Sequence, residues 1–169
     1  MSALSGYRAL VAKVDATCAR IQSEYAAHIA CRKGCGDCCR NISVFPVEAA
    51  VLSEAVRRLS PEVLQAARQR ALEQADACPL LNDGVCLVYD ARPIICRTHG
   101  MPILVPDEDG RIDACPKNFR NLSSLPMSDV IDLNRLNEML WAVHALFVRE
   151  HPGVSKSERI TIAQVVLGA

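Results

Sequence analysis

Apolar residues recur at helical spacing along the first part of the chain. Leu4, Tyr7 and Val11 follow one another at intervals of three and four, with charged residues between them. This period is typical of a helix with one apolar face. We therefore predict a helix over residues 3–29 that packs within its own domain. Cys18 falls on the apolar face, so we interpret it as a buried structural residue.

Two further helices are indicated by their starting residues. Pro46 suits the first position of a helix, and the apolar pattern after it predicts a helix to about Leu59. The sequence Ser60-Pro61-Glu62 is a good helix start, so a second helix is expected to run to about Ala77.

The last part of the chain also has a helical pattern. Ser128 is expected to cap a helix that ends at about Glu150, before His151-Pro152-Gly153. Leu136 and Phe147 lie on its apolar face. A short helix over 158–167 is predicted to follow.

Two segments lack helical periodicity, and both carry cysteines. Glycines interrupt residues 31–39, and prolines and turn sequences interrupt residues 78–117. Within the second segment we expect at most short strands near 86–89 and 103–105. The predicted fold is a mainly helical, all-α single domain over residues 1–169. Two irregular cysteine-rich loops would be organised around a metal centre at about 31–117, flanked by helices 3–29 and 128–150.

Composition narrows the class of protein. The chain has 169 residues, with 19 basic and 19 acidic side chains, so we expect no nucleic-acid partner. It contains no run of about 18–20 apolar residues, the length a membrane helix needs, and no secretory signal pattern near its start. We therefore expect a cytoplasmic protein. In that reducing compartment cysteines remain thiols, and metal binding is a common use of clustered thiols.

Eight of the nine cysteines fall in the two irregular segments. They are Cys31, Cys35, Cys38 and Cys39 in the first, and Cys78, Cys86, Cys96 and Cys115 in the second. Buried structural cysteines would instead follow helical apolar faces, as Cys18 does. Zinc and iron–sulfur clusters both take four thiolates, often from separated segments. We predict that these eight thiols bind zinc or an iron–sulfur cluster.

The adjacent pair Cys38-Cys39 bears on the number of centres. Neighbouring side chains diverge, which suits two centres or one polynuclear centre better than one tetrahedral ion. Four thiolates on one zinc leave a charge of about −2, which nearby cations would offset. The candidate cations are Arg32, Lys33, Arg40, Arg92, Arg97 and Lys117. Arg92 and Arg97 are predicted to lie behind the ligands, and His99 is a reserve ligand.

These residues resemble a known family. The chain is similar to the YkgJ-type CxxCxxCC cysteine-cluster family over residues 31 to 117. The resemblance implies zinc or iron chelation. The motifs are Cys31-x3-Cys35-x2-Cys38-Cys39 with Glu48 after it, Cys78-Pro79-x-Leu81, Gly84-x-Cys86-x-x-Tyr89, and Arg92-Pro93-x-x-Cys96-Arg97.

Three functions remain open at this point. The leading one is a metal-binding protein whose centre ties the loops to the helices. The second is an iron–sulfur redox enzyme, or an accessory protein to a modification reaction, since the resemblance extends to a cysteine cluster in flagellin lysine N-methylases. The third is a helical interaction module whose fold is held together by zinc and which binds an unidentified protein partner. Trp141 and Phe147 are the candidate residues for contacting that partner.

Overall fold

The computed structural model describes residues 2–32, 34–105, 110–120 and 122–169 of the chain. The described part is mostly helical, as the sequence predicts. Its helices are α1 (Ala3–Glu24), α2 (Pro46–Val56), α3 (Pro61–Glu73), α4 (Ile94–Thr98), α5 (Leu133–Glu150) and α6 (Ile162–Leu167). Its strands are β1 (Ser43–Val44), β2 (Leu81–Asn82), β3 (Val85–Cys86), β4 (Ile103–Leu104), β5 (Ile112–Asp113), β6 (Ile131–Asp132) and β7 (Ile160–Thr161).

The long helices α1 and α5 pack against each other around one hydrophobic cluster. The apolar face of α1 supplies Tyr7, Leu10 and Ile21, and α5 supplies Leu136 and Phe147. Because Phe147 is only 5% exposed, it is a core residue and not a surface anchor. Trp141 is 47% exposed and its ring lies 5.7 Å from that of Phe45.

A second hydrophobic cluster joins α2, α3 and α6. Pro46 occupies the first turn of α2, and the Ser60 hydroxyl caps α3 by accepting a hydrogen bond from the Val63 amide, as the sequence predicts. Thr161 and Gln164 cap α6 reciprocally. The helix therefore begins at Ile162, later than the residue 158 expected.

The described residues form three small sheets, two antiparallel and one mixed, between these helices. Strand β1 pairs with β7, so the residues that follow the first cysteine segment are bonded to residues near the other end of the chain. Strands β2 and β3 form a hairpin, with Leu81 opposite Cys86. Strand β4 lies between β5 and β6. In the part of the chain the structure describes, none of the helices is long and apolar enough to cross a membrane.

Several predicted boundaries differ from the observed ones. The helix predicted over 3–29 ends at Glu24, and a 3-10 turn over Ala26–His28 continues the apolar spacing. Those predicted to end near Leu59 and Ala77 stop at Val56 and Glu73. Residues 106–109, part of the segment 78–117 that is predicted to be irregular, lie outside the described residues.

The start of α5 was predicted wrongly. Residues 127–129 form a 3-10 turn, and Asp132, not Ser128, caps the helix by accepting a hydrogen bond from the Arg135 amide. Asp129, next to Ser128, does not cap the helix either, because its side chain binds residues near the end of the fold's first helix. Its carboxylate accepts hydrogen bonds from Arg20 and Tyr25 of the first helical region, at 2.5 and 2.6 Å.

The segment 78–117 contains a helix that the sequence did not predict. This short helix, α4, carries Cys96. The strand expected near 86–89 is confined to β3, since Tyr89–Ala91 form a 3-10 turn, whereas β4 lies where the strand near 103–105 was expected.

Glu48 fixes α4 against α2 from inside the protein. This side chain is 3% exposed. One carboxylate oxygen accepts the Phe45 amide at 3.1 Å and the other accepts the Ile94 amide at 3.0 Å. A single buried side chain therefore caps two helices, and it holds the start of the helix that bears Cys96.

Replacing Glu48 by Gln should destabilise the protein by about 1–3 kcal/mol, because a buried amide then faces an amino group instead of an acceptor. Glu54→Gln is the matched control on the same helix, since its exposed ion pair with Arg8 contributes less than about 1 kcal/mol. Urea unfolding of both variants measures the difference. Equal losses would contradict the role given to Glu48.

The Asp129 contacts predict an acid-dependent contribution to stability. Hydrogen bonds from Tyr25, and then from Arg20, hold the pKa of Asp129 below its usual value. A carboxylate with a lowered pKa stabilises the fold above the pKa it has when unfolded, about 4, and this contribution is lost as the pH falls through the folded value. Asp129→Asn should therefore lower the melting temperature at pH 7, and the difference from wild type should shrink toward pH 2. Exposed Asp76→Asn serves as the control.

Candidate metal centre

Seven of the eight clustered cysteines line one cavity of about 660 Å³. They come from both irregular segments. They are Cys31, Cys35, Cys38, Cys39, Cys78, Cys86 and Cys96. All nine cysteines of the chain are free thiols, and Cys31 and Cys38 are exposed.

Close glycine contacts place the first cysteine loop against the β2–β3 hairpin. Gly84, in the turn of the hairpin, has a φ of +73°, and a Cβ atom there would lie 2.9 Å from the backbone of Gly34. A Cβ atom on Gly36 would lie 2.7 Å from the side chain of Leu81. A larger residue at position 84 would press against the Gly34 backbone, whereas the end of the Leu81 side chain could move aside at position 36. Gly84 therefore allows the hairpin to approach the loop closely enough for thiols from both segments to share the cavity.

Backbone hydrogen bonds continue this contact at the end of the loop. The Cys78 amide donates to the Cys39 carbonyl at 3.3 Å, and the Asn41 amide donates to the Asp76 carbonyl at 2.9 Å. Arg40 and Ala77 form an isolated bridge between the same segments. Cys39 and Cys78 are therefore neighbours through their backbones, whatever their side chains bind.

Arg92 lies beside the thiols of the second segment. Its guanidinium stacks over the Tyr89 ring, 3.6 Å from the ring centre, and donates to the Cys96 carbonyl at 3.3 Å. Its positive charge opposes the rise in the pKa of Cys86 and Cys96 that burial causes. Arg92 is therefore placed where it would partly offset the charge of thiolates.

Arg97 also reaches the cavity wall, but its guanidinium is bound by other groups. It is 7% exposed, and one of its nitrogens contacts both carboxylate oxygens of Asp15 at 2.6 and 2.8 Å. It also donates to the carbonyls of Asp90 and Arg92. Arg97 thus fixes the turn before α4 to α1, and Asp15 already balances its charge.

Cys115 approaches the first cysteine loop on its other side, through Gly100 and Asn118. Gly100 has a φ of +89°, and a Cβ atom there would lie 2.9 Å from the Cys31 sulfur and 3.9 Å from the Cys115 Cβ. The Asn118 amide nitrogen of the main chain donates to the Cys115 carbonyl at 2.8 Å. Glycine at position 100 thus allows Cys31 and Cys115 to lie together.

The Asn118 side chain donates a hydrogen bond to the sulfur of Cys31. Its Nδ2 lies 3.3 Å from Cys31 Sγ and 2.8 Å from the Gly100 carbonyl, while its Oδ1 accepts the Ala30 amide at 2.8 Å. The main-chain donor and acceptor fix the orientation of this amide. The side chain is only slightly exposed, and its donor lowers the pKa of Cys31 against the larger, opposite effect of burial.

The thiols are near one another without forming a closed coordination sphere. Among the described residues, no three His, Cys, Asp or Glu side chains lie close enough to hold a single metal ion. Burial, then the neighbouring thiols Cys78, Cys86 and Cys39, raises the pKa of Cys96 to about 12. Such crowding disfavours several free thiolates, whereas a bound cation favours them. Because no three of these described side chains are yet close enough to hold one ion, metal binding would also have to draw the sulfurs together.

The chemistry of the lining fits a thiolate-bound metal. The described residues that line the cavity include no Asp or Glu. Four arginines are present, Arg32, Arg40, Arg92 and Arg97, of which Arg97 is paired with Asp15 behind the lining. Positive side chains without carboxylates suit thiolate centres, whose net charge is about −2 for a four-thiolate zinc or an oxidised four-iron cluster.

The remaining sequence candidates are placed as follows. His99 lines the cavity directly after α4, and burial lowers its pKa, so its role as a reserve ligand remains a prediction. Lys117 forms an ion pair with Asp37, beside the first loop. Cys18 is buried on α1, and its thiol lies 3.6 Å from the Arg97 carbonyl. Lys33 lies outside the described residues.

Sequence reasoning missed Asn118 and Gly100. An asparagine next to a Cys-Pro step carries no recognisable signal, and Gly100 resembles an ordinary turn residue. Their importance depends on Cys31, which is far from both along the chain. Glu48 was noted within the motif, but its contact with the start of α4 was not foreseen.

Comparison with known proteins gives one finding. The CxxCxxCC family model, described as "Putative zinc- or iron-chelating domain", matches residues 30–117. This range includes all eight clustered cysteines. No curated protein and no solved structure gives a significant match to the chain.

Asn118→Asp should slow the alkylation of Cys31 by on the order of tenfold, because a carboxylate beside the sulfur disfavours the reactive thiolate. Asn41→Asp is a matched control, since the Asn41 side chain also joins two main-chain groups, the Ala75 carbonyl and the Ala163 amide. Both variants should lose stability. Mass spectrometry of iodoacetamide-treated, metal-free protein measures the rate at Cys31, and an unchanged rate in Asn118→Asp would contradict the N–H···S bond.

Proposed function

Because the chain belongs to the CxxCxxCC family, described as zinc- or iron-chelating domains, we propose that it binds zinc or iron through its eight clustered thiols. The single observation that carries this proposal is the cavity shared by cysteines from two distant segments. Structural cysteines are expected to be dispersed among core residues, whereas these cysteines line one cavity whose described lining contains no carboxylate. We place this activity in the cytoplasm, where the thiols would stay reduced.

The metal would also stabilise the protein. The cysteine loop 31–40 meets the hairpin 81–86 through close approaches at glycines, and Cys39 is joined by a backbone hydrogen bond to Cys78 before the hairpin. A thiolate-bound ion joining the two would contribute on the order of 10 kcal/mol in favourable cases. In this function the metal fixes the loops to the helices, and Arg92 and Asn118 supply charge and a hydrogen-bond donor near sulfur.

A second candidate function is an iron–sulfur protein that transfers electrons or assists a modification reaction. It is favoured by the size of the cavity, about 660 Å³, and by the exposure of Cys31 and Cys38. A centre there would be accessible to a reaction partner. Colour after anaerobic purification separates the two candidates, since an iron–sulfur cluster is brown and a zinc site is colourless.

Replacing Cys35 or Cys38 by Ser should remove metal and lower the melting temperature, because each is a proposed ligand on the first loop. Cys18→Ser is the control and should keep its full metal content, since Cys18 faces the helix core. Elemental analysis with a visible spectrum on anaerobically prepared protein provides the measurement. Metal-free wild type with an unchanged melting temperature would overturn the proposed function.

A further inference from the structure

We infer that the eight thiols form two separate four-cysteine metal sites. The loop site consists of Cys31, Cys35, Cys38 and Cys115, and the hairpin site consists of Cys39, Cys78, Cys86 and Cys96. This inference rests on the proposed function and assigns each thiol to one centre.

The loop site is defined by contacts between the first cysteine loop and residues 115–118. Cys31 and Cys115 lie together because Gly100 leaves space beside both. The side chain of Asn118 donates to the Cys31 sulfur, and its main-chain amide donates to the Cys115 carbonyl. Lys117 pairs with Asp37, two residues after Cys35. The Cys35 amide closes a turn with the Arg32 carbonyl at 3.0 Å, which keeps Cys35 close to Cys31. Cys38 is exposed on the same loop, as Cys31 is.

The hairpin site is defined by contacts that do not involve residues 115–118. Cys78 is hydrogen-bonded through its backbone to Cys39 and to Leu81, which pairs with Cys86 across the hairpin. Cys96, on α4, packs against the same hydrophobic cluster as Cys78 and Cys86. Three of these four cysteines come from the segment 78–96, and Cys39 joins them from the end of the first loop.

The two sites divide between Cys38 and Cys39. Paired ligands of one zinc ion usually have about two to four residues between them, so two adjacent cysteines suit different ions. Cys38 is exposed, whereas Cys39 is half-buried. A turn closed by the Cys39 amide and the Gly36 carbonyl, at 2.9 Å, reverses the chain at this point. Cys38 therefore belongs with the exposed part of the loop, and Cys39 belongs with the strand-like contact to Cys78.

Each site has its own polar groups around the sulfurs. The loop site has the Asn118 amide and the Lys117 ammonium group, which pairs with Asp37 on the loop. The hairpin site has the Arg92 guanidinium, bonded to the Cys96 carbonyl. Two centres of about −2 each would need such separate compensation. One group of donors for each set of four thiols is the arrangement expected of two sites.

Cobalt titration of anaerobic, metal-free protein tests this division. The wild type should bind about two Co²⁺ ions per chain with the absorption of tetrahedral thiolate sites, since four thiolates hold each ion. Cys35→Ser/Cys115→Ser and Cys78→Ser/Cys86→Ser should each retain one ion, and Cys18→Ser should retain both. If either pair variant lost all cobalt while remaining folded, the thiols would form one shared centre, and the division would be wrong while the proposed function stood. A wild type that bound no cobalt, zinc or iron would instead refute the proposed function.

Alkylation of the wild type keeps the inference testable if a variant fails to fold. Zinc-loaded protein is partly depleted with a chelator, labelled with iodoacetamide, and analysed as intact chains by mass spectrometry. Chains that retain one zinc ion should be labelled at Cys31, Cys35, Cys38 and Cys115 together, or at Cys39, Cys78, Cys86 and Cys96 together. Labels mixed between the two sets would overturn the division.

Discussion

The first cysteine loop has no apolar anchor of its own. None of its described residues, 31–32 and 34–40, is buried. Its position depends on close backbone approach, through Gly34 and Gly84, and on polar contacts such as that of Asn118 with Cys31. The hydrophobic clusters hold the helices at either side, so the loop lies between rigid elements without belonging to their cores. In the proposed function, bonds from these thiols to metal, which are strong and directional, would supply the anchor that the loop lacks.

The helical scaffold follows from local signals that the sequence displays. Pro46 and Ser60-Pro61 mark helix starts, and the apolar period of α1 indicates its buried face, so these elements were predicted correctly. Helix α4 could not be found in this way, because five residues are too few to show a period and its cap is a side chain from α2. Strands β1 and β7 could not be found either, because each has two residues and pairs with a strand that is distant in the chain.

The candidate site could be predicted as a set of residues but not as an arrangement. Spacing and composition identified the clustered cysteines, since metal ligands recur in recognisable local patterns. The sequence pattern did not distinguish Arg92 from Arg97. In the structure, Arg92 donates to the carbonyl of Cys96, whereas Arg97 pairs with Asp15. A sequence records which charges exist, whereas the balance between them depends on partners supplied by the fold.

The pairing of β1 with β7 has a consequence for biosynthesis. The first cysteine loop leaves the ribosome long before Ile160 and Thr161, which hold the strand that follows it. The residues that contact the loop thiols, up to Asn118, are already made at that stage. What a nascent chain still lacks is the partner of strand β1, so the loop would be joined to its neighbours on one side before it is fixed on the other.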